Sequence, residues 1–274
     1  MPTHMPNLIY GTAWKEERTQ QCVEAALALG FRALDTANQR KHYFEEAVGA
    51  ALLSAYEDGH VTRQDLFLQT KFTSIGGQDH RLPYDPSAAA HIQVQQSFAS
   101  SLAHLHTDYL DSYVLHGPSG TRGLTEFDWQ VWVAMGELYK AGSVRALGVS
   151  NMQLEQLRLL FETSEVKPTY LQNRCYARTG WDKEIRGYCR KHDILYQGFS
   201  LLTANQAVLE NARFCQLVKK YACTPAQMIF GFSSQVGMLP LTGTTNPEHM
   251  REDLLFTQCK LEDQDVTIIE NIMT

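Results

Sequence analysis

The strongest constraint on this fold is a repeated alternation along the chain: short β-rich runs, most of them followed by a helical pattern, from one end to the other. Strands are predicted over residues 8–11, 33–36, 66–70, 109–115, 146–149, 170–172, 195–198 and 238–241. Helical periodicity covers 17–29, where Val23, Ala26 and Leu27 share one face, and then 45–53, 88–105, 128–141, 154–163 and 183–192. Gly142 stands where a helix stops, and Thr224-Pro225 reads as an N-cap followed by proline in the first turn. An alternation of this kind over 274 residues predicts an α/β chain folded as one (β/α)8 TIM barrel domain, residues 1–274. A doubly wound sheet is the competing answer, but no G-x-G-x-x-G follows the first strand. The polar stretch 73–86 is long for a connector and is expected to be a functional loop acting as a lid.

Composition excludes several classes. The formal charge of −6 argues against a general nucleic-acid surface. Arg186, Arg190 and Lys191 read as a solvated helix face. No apolar run is long enough to cross a bilayer, and MPTHMPNLIYG lacks a signal-peptide pattern. Six scattered cysteines without metal spacing suit reduced thiols in a cytoplasmic protein. His104 and His106 lack ligand spacing with any carboxylate cluster, so no metal is expected. The expected partner is a small molecule, and the expected state a monomer.

In such a barrel the C-terminal ends of the strands carry the chemistry. Asp35, Lys71 and His116 fall there, and Tyr43 lies in the loop after Asp35. Reducing a carbonyl needs a proton donor beside its oxygen as hydride reaches carbon. A phenol is a weak acid unless an ammonium favours the phenolate, and a carboxylate keeps that ammonium charged. This assigns Tyr43 as acid, Lys71 as its depressor, Asp35 as partner of Lys71 and His116 as carbonyl orienter or proton relay. Each has a structural alternative: Asp35 as a helix N-cap, Tyr43 as a helix-start residue, Lys71 as a solvated strand end, His116 as a buried histidine bonded to backbone.

The segments GFRALDTA, EEAVG, DLFLQTKF, TDYLDSYVLHGP, GSVRALGVSN, YLQNRCYA, TPAQ and GTTNPEHMRED together resemble the aldo-keto reductases over nearly the whole chain. The resemblance implies an oxidoreductase that reduces aldehydes or ketones with a nicotinamide cofactor across the barrel mouth, and it supports Asp35, Lys71 and His116 as tetrad members. It implies that Ser150, Asn151 and Gln172 bind the nicotinamide carboxamide, Phe199 stacks on its ring, and Ser200 and Leu202 follow the diphosphate. Gly243, Thr244, Asn246, His249, Glu252 and Asp253 match the adenosine end. Ser150-Asn151 also reads as a helix N-cap pair. Trp14 resembles a pocket tryptophan. Gly117 stands where a large tryptophan is common, and Phe72 is ambiguous between pocket wall and core. Tyr84 and His80 are weaker candidates for substrate contact.

Two departures matter. Tyr43 follows Asp35 by eight positions, further than the family's usual spacing, and an ungapped alignment of EEAVG would put His42 at the tyrosine position. The strong cationic contacts typical for a 2′-phosphate are absent where Gly243 and His249 stand. NADPH is expected on family grounds, with NADH as the alternative. A second reading is a cofactor-binding regulatory or channel-associated subunit with little turnover.

Overall fold

The computed structural model describes residues 6–59 and 61–273. The parallel strands β1 (Ile9–Gly11), β2 (Ala33–Asp35), β3 (Phe67–Phe72), β4 (Ser112–Leu115), β5 (Leu147–Ser150), β6 (Tyr170–Arg174), β7 (Leu195–Phe199) and β8 (Met238–Thr242) form a closed barrel in chain order. Closure is made by β1 on β8, with Ile9 opposite Leu241 and Tyr10 opposite Thr242. The single barrel domain expected from the alternation is therefore present.

Helices α1 (Thr19–Leu29), α2 (Glu45–Glu57), α3 (Ala90–His104), α4 (Glu126–Lys140), α5 (Leu154–Thr163) and α6 (Lys183–Lys191) follow the first six strands. Beyond β7 the chain adds α7 (Gln206–Leu209) and α8 (Ala212–Tyr221) before α9 (Pro225–Gln235); α10 (Pro247–Leu254) and α11 (Asp263–Glu270) follow β8. Thr224 caps α9: its hydroxyl accepts from Gln227 N, while Gln227 Oε1 accepts from Thr224 N. Such a box contributes about 1 kcal/mol. Gly142, with φ of 78°, ends α4 as expected. Gly49 is required by packing, because a Cβ there would lie 1.7 Å from the carbonyl oxygen of His104.

Strand alternation sorts side chains into two layers. Inside the barrel, Ile9, Ala33, Phe67, Ala146, Tyr170, Leu239 and Leu241 fill the lower part, with Phe67 and Tyr170 edge to face at 5.8 Å. The larger apolar layer, including Leu34, Leu68, Tyr113, Trp132 and Tyr196, belongs to the main cluster that joins sheet to helices. On β3 the alternation sends Gln69 and Lys71 inward and Phe72 outward, where it stacks on Tyr84 at 5.5 Å.

Two sequence expectations change. The strand predicted over 109–115 reduces to β4 plus a bridge at Leu110, because Asp111 turns its carboxylate into the ladder and accepts from Leu68 N at 3.0 Å. Arg63 and Arg145 neutralise that buried acid at 2.8 and 2.9 Å. Arg186 is not on a solvated face. It is buried and donates to Trp181 O, Val236 O and Glu270, tying α6 to the C-terminal region.

Candidate active site

Asp35 ends β2, Lys71 is the penultimate residue of β3, and His116 directly follows β4. The Lys71 Nζ lies 2.7 and 2.6 Å from the two Asp35 oxygens and 2.8 Å from Thr36 O, with both side chains buried. Burial alone would drive the ammonium to neutrality. Asp35, and after it Tyr43, more than reverse this, so the pKa of Lys71 is raised.

Tyr43 packs against this pair. The Lys71 Nζ is 5.0 Å from the centre of the phenol ring, and the ring meets His116 edge to face at 5.8 Å. Burial raises the Tyr43 pKa, and the adjacent Lys71 pulls it back only in part. The phenol therefore keeps its proton at neutral pH, next to a cation that would steady the phenolate. His42 sits elsewhere: its ring lies on Trp14 at 4.0 Å, and its carbonyl accepts from Trp14 N at 2.7 Å. Tyr43, rather than His42, is the residue beside the Asp35–Lys71 pair.

His116 is fixed by a residue the sequence did not point to. Thr73 Oγ1 and His116 Nδ1 are 2.6 Å apart. Burial, then the charge on Lys71, pushes the imidazole down to about 3, so it is neutral at physiological pH.

Asp35, Tyr43 and His116 open into a cavity of about 1000 Å³ at the C-terminal face of the barrel. Its walls bring together Trp14, His42, Ser150, Asn151, Gln172, Phe199, Ser200 and Leu202 near the polar floor. Gly243, Thr244, His249, Glu252 and Asp253 line it as well. Trp14, Asn151 and Ser200 are all non-glycine residues with left-handed backbones, at φ of 61°, 54° and 56°. Such strain collects where side chains must be aimed. The Asn151 amide donates to His116 O at 2.9 Å and to Ser150 Oγ at 3.1 Å, which ties the two strand ends together.

A family model described as "Aldo/keto reductase family" matches residues 7–274. The chain belongs to the aldo/keto reductase family. Among its relatives is the glyoxal reductase of Bacillus subtilis, 30% identical, with 91% of this chain and 82% of that protein aligned. Aldo-keto reductase family 1 member C18 of Rattus norvegicus is 27% identical over 98% of this chain and 88% of its own. The crystal structure of an aldo/keto reductase from Brucella melitensis superposes with a TM-score of 0.84 at 27% identity, covering 99% of this chain and 96% of that one.

As an aldo/keto reductase, the protein is an oxidoreductase, and its structure corrects several sequence expectations. Phe72 belongs to the core, on the outer face of β3. Gly117 lies beneath Asn151, 3.6 Å from its Cβ when a side chain is built there, and does not line the cavity. Asn246 points away and caps α10 by accepting from Glu248 N at 2.9 Å, while its neighbour Thr245 lines the cavity instead. The segment 73–86 is not a lid over this cavity: none of its residues lines it, Tyr84 donates to Thr73 O from within the core, and His80 is exposed. Asp35 and Ser150-Asn151 are not N-caps, since α2 and α5 are capped at Phe44 and Gln153.

Among the wall residues of this reductase that the sequence did not point to are Lys15 and Arg174. Lys15 is buried at the cavity edge, donates to Gly243 O at 2.8 Å and lies over the Tyr10 ring at 4.9 Å. Burial lowers its pKa to about 8. Its place after Trp14 was the available signal. Arg174, two residues beyond Gln172 on the same face of β6, reaches Ser200 Oγ at 3.3 Å. Asp253 is raised to about 6 by burial, and its carboxylate accepts from Thr242 Oγ1 at 2.6 Å. Among the described residues, no cluster of three or more His, Cys, Asp or Glu is arranged to hold a metal. No helix among the described residues is long and apolar enough to cross a membrane.

Proposed function

We propose that this reductase converts aldehydes or ketones to alcohols, with a reduced nicotinamide cofactor as hydride source and Tyr43 as proton donor. The observation that carries the reading is the position of Tyr43: a protonated phenol at the cavity floor, against Lys71 and His116. The donor set fits the cofactor. The cavity holds the amide and hydroxyl groups of Ser150, Asn151 and Gln172, an aromatic face in Phe199, and a lysine at its edge. When bound, the cofactor supplies hydride to the carbonyl carbon.

The chain's own residues do the rest. Negative charge grows on the substrate oxygen as hydride arrives, and Tyr43 gives that oxygen its proton. Lys71 lowers the cost of the resulting phenolate, and Asp35 keeps Lys71 charged. A Thr73 hydroxyl donating to Nδ1 would fix His116 with Nε2–H facing the substrate oxygen, so the neutral ring orients the carbonyl without competing for the proton. Ser150, Asn151 and Gln172 hold the carboxamide, Phe199 covers the ring, and Ser200, Leu202 and Lys15 serve the diphosphate. Gly243, Thr244, Thr245, His249, Glu252 and Asp253 serve the adenosine end.

NADPH is the proposed cofactor on family grounds. A solved aldo-keto reductase complexed with NADPH shares the fold, with a TM-score of 0.83 at 22% identity over 98% of this chain and 84% of that one. A binding-only subunit would need no phenol beside the lysine; the packing of Tyr43 favours turnover. Titration with NADPH and NADH in parallel, followed by oxidation of the tighter one with an aromatic aldehyde and with glyoxal, tests the reading. Glyoxal is included because the Bacillus subtilis relative is named for it. Binding with aldehyde-dependent oxidation is the expected result. Binding without turnover would return the subunit reading, and no binding would overturn both.

A further inference from the structure

Just beneath the polar floor lies a layer of amide side chains. Gln69 and Gln197 are fully buried, and Gln172 is 3% exposed. Gln69 Nε2 and Gln172 Nε2 donate to the same Asp35 Oδ1, at 2.7 and 2.9 Å. Each also donates to Gln197 Oε1, at 2.8 and 3.0 Å, and Gln197 Nε2 returns a bond to Gln69 Oε1 at 3.0 Å.

Donor and acceptor bookkeeping leaves this network a single arrangement. The carboxylate of Asp35, paired with Lys71, only accepts, so it must meet the NH2 groups of Gln69 and Gln172. The second N–H of each then points at Gln197, which must present its oxygen. The Gln197 NH2 is left for Gln69 Oε1. Among the described residues, the one amide oxygen of this set without a donor is Gln172 Oε1, and Gln172 lines the mouth cavity. Lone glutamines can turn their amides over. This one is held by two buried acceptors.

We propose that Gln197 and Gln69 are positioning residues that lock Gln172 with only an acceptor facing the cavity, so that it selects the NH2 of the cofactor's carboxamide. The proposal rests on the nicotinamide reading of the site. It also makes the carboxamide contact and the Lys71 pair share one buried oxygen, Asp35 Oδ1.

The test is a binding titration, followed by protein fluorescence, with NADPH and with its 3-acetylpyridine analogue, in which a methyl group replaces the carboxamide NH2. Wild-type protein is expected to bind NADPH about tenfold or more tighter than the analogue, the effect of one buried contact. Gln197→Leu should weaken NADPH about tenfold and the analogue less than about threefold, so the discrimination collapses. Gln69→Met, which frees Gln197 to turn, should lower it in the same direction; it serves if the first variant fails to fold, with thermal unfolding as the check. Equal weakening of both ligands would reduce the glutamines to a structural role and overturn the proposal. Unchanged discrimination in a folded variant, or none in the wild type, would do the same. Wild-type protein that binds neither ligand, nor NADH and its 3-acetylpyridine analogue, would sink the nicotinamide reading itself, and this proposal with it.

Discussion

Thr73 fixes the face that His116 turns to the cavity: its hydroxyl oxygen and the imidazole Nδ1 are 2.6 Å apart, at the point where the chain leaves β3. Replacing Thr73 by Val keeps the shape and removes the bond. Turnover with a reactive aldehyde should fall about tenfold, the cost of one lost buried hydrogen bond, while cofactor affinity stays unchanged. Steady-state kinetics beside a cofactor titration checks it; an equal loss in both would place Thr73 in the scaffold alone.

Tyr43→Phe should lower turnover by about 10²- to 10⁴-fold, the usual contribution of a positioned acid, while leaving cofactor binding in place. His42→Ala removes only the ring stacked on Trp14. It should act on the KM for aldehyde and change turnover by less than about tenfold, within the worth of a single aromatic contact. The reverse ranking of the two variants would move the proton donor to His42.

Lys15 should give cofactor binding a pH dependence. Its pKa is lowered to about 8 by burial, so the ammonium is present below that value and is lost as pH rises through it. Affinity for the anionic cofactor should weaken between pH 7 and 9. In Lys15→Met the affinity should already be low at pH 7 and should stay flat. A wild-type profile as flat as the variant's would remove Lys15 from the binding site.

His104 has the opposite sign. Its Nδ1 lies 3.0 Å from the buried carboxylate of Glu45, and Glu46 is 3.2 Å from Nε2. The hydrogen bond to Glu45 raises its pKa above 6.5 against the effect of burial. The folded state therefore holds the proton more tightly than the unfolded one. The resulting stability is full below pH 6.5 and is lost as pH rises through the raised value. The melting temperature of His104→Gln should lack the decline that the wild type shows over that window.

Packing around the same histidine yields a test of the fold. Gly49→Ala places a Cβ against the His104 carbonyl, so α2 and α3 must separate. Denaturant unfolding should show a loss of about 3 kcal/mol or more.

The barrel was legible because short apolar strand runs alternate with helical periodicity along the chain, and Asp35, Lys71 and His116 were legible because they lie at the C-terminal ends of those strands. Tyr43 was harder to place: the segment between β2 and α2 is irregular, and only the fold shows that its extra residues carry His42 out to Trp14 while the phenol returns to Lys71. The position of Phe72 could have been read from alternation, since Lys71 inward sends its neighbour outward. Asn246, before Pro247, carried the mark of a helix cap and was still assigned to the cofactor. Gln69 and Gln197 gave no warning, because a glutamine in a β-rich run reads as a solvent-facing residue. Their burial depends on barrel closure, a contact between distant strands.

Closure also sets a clock. Lys15 meets Gly243, and the Tyr10 hydroxyl donates to Thr244 O at 2.9 Å, so the first strand and the last complete the cavity together. During translation Asp35, Tyr43, Lys71 and His116 emerge early, yet the wall made by Gly243, Thr244 and Thr245 exists only after the eighth strand has left the ribosome and paired with the first. A nascent chain halted before residue 243 therefore carries all four of these residues and lacks one wall of the cavity, so whatever the cavity binds can reward only the closed ring.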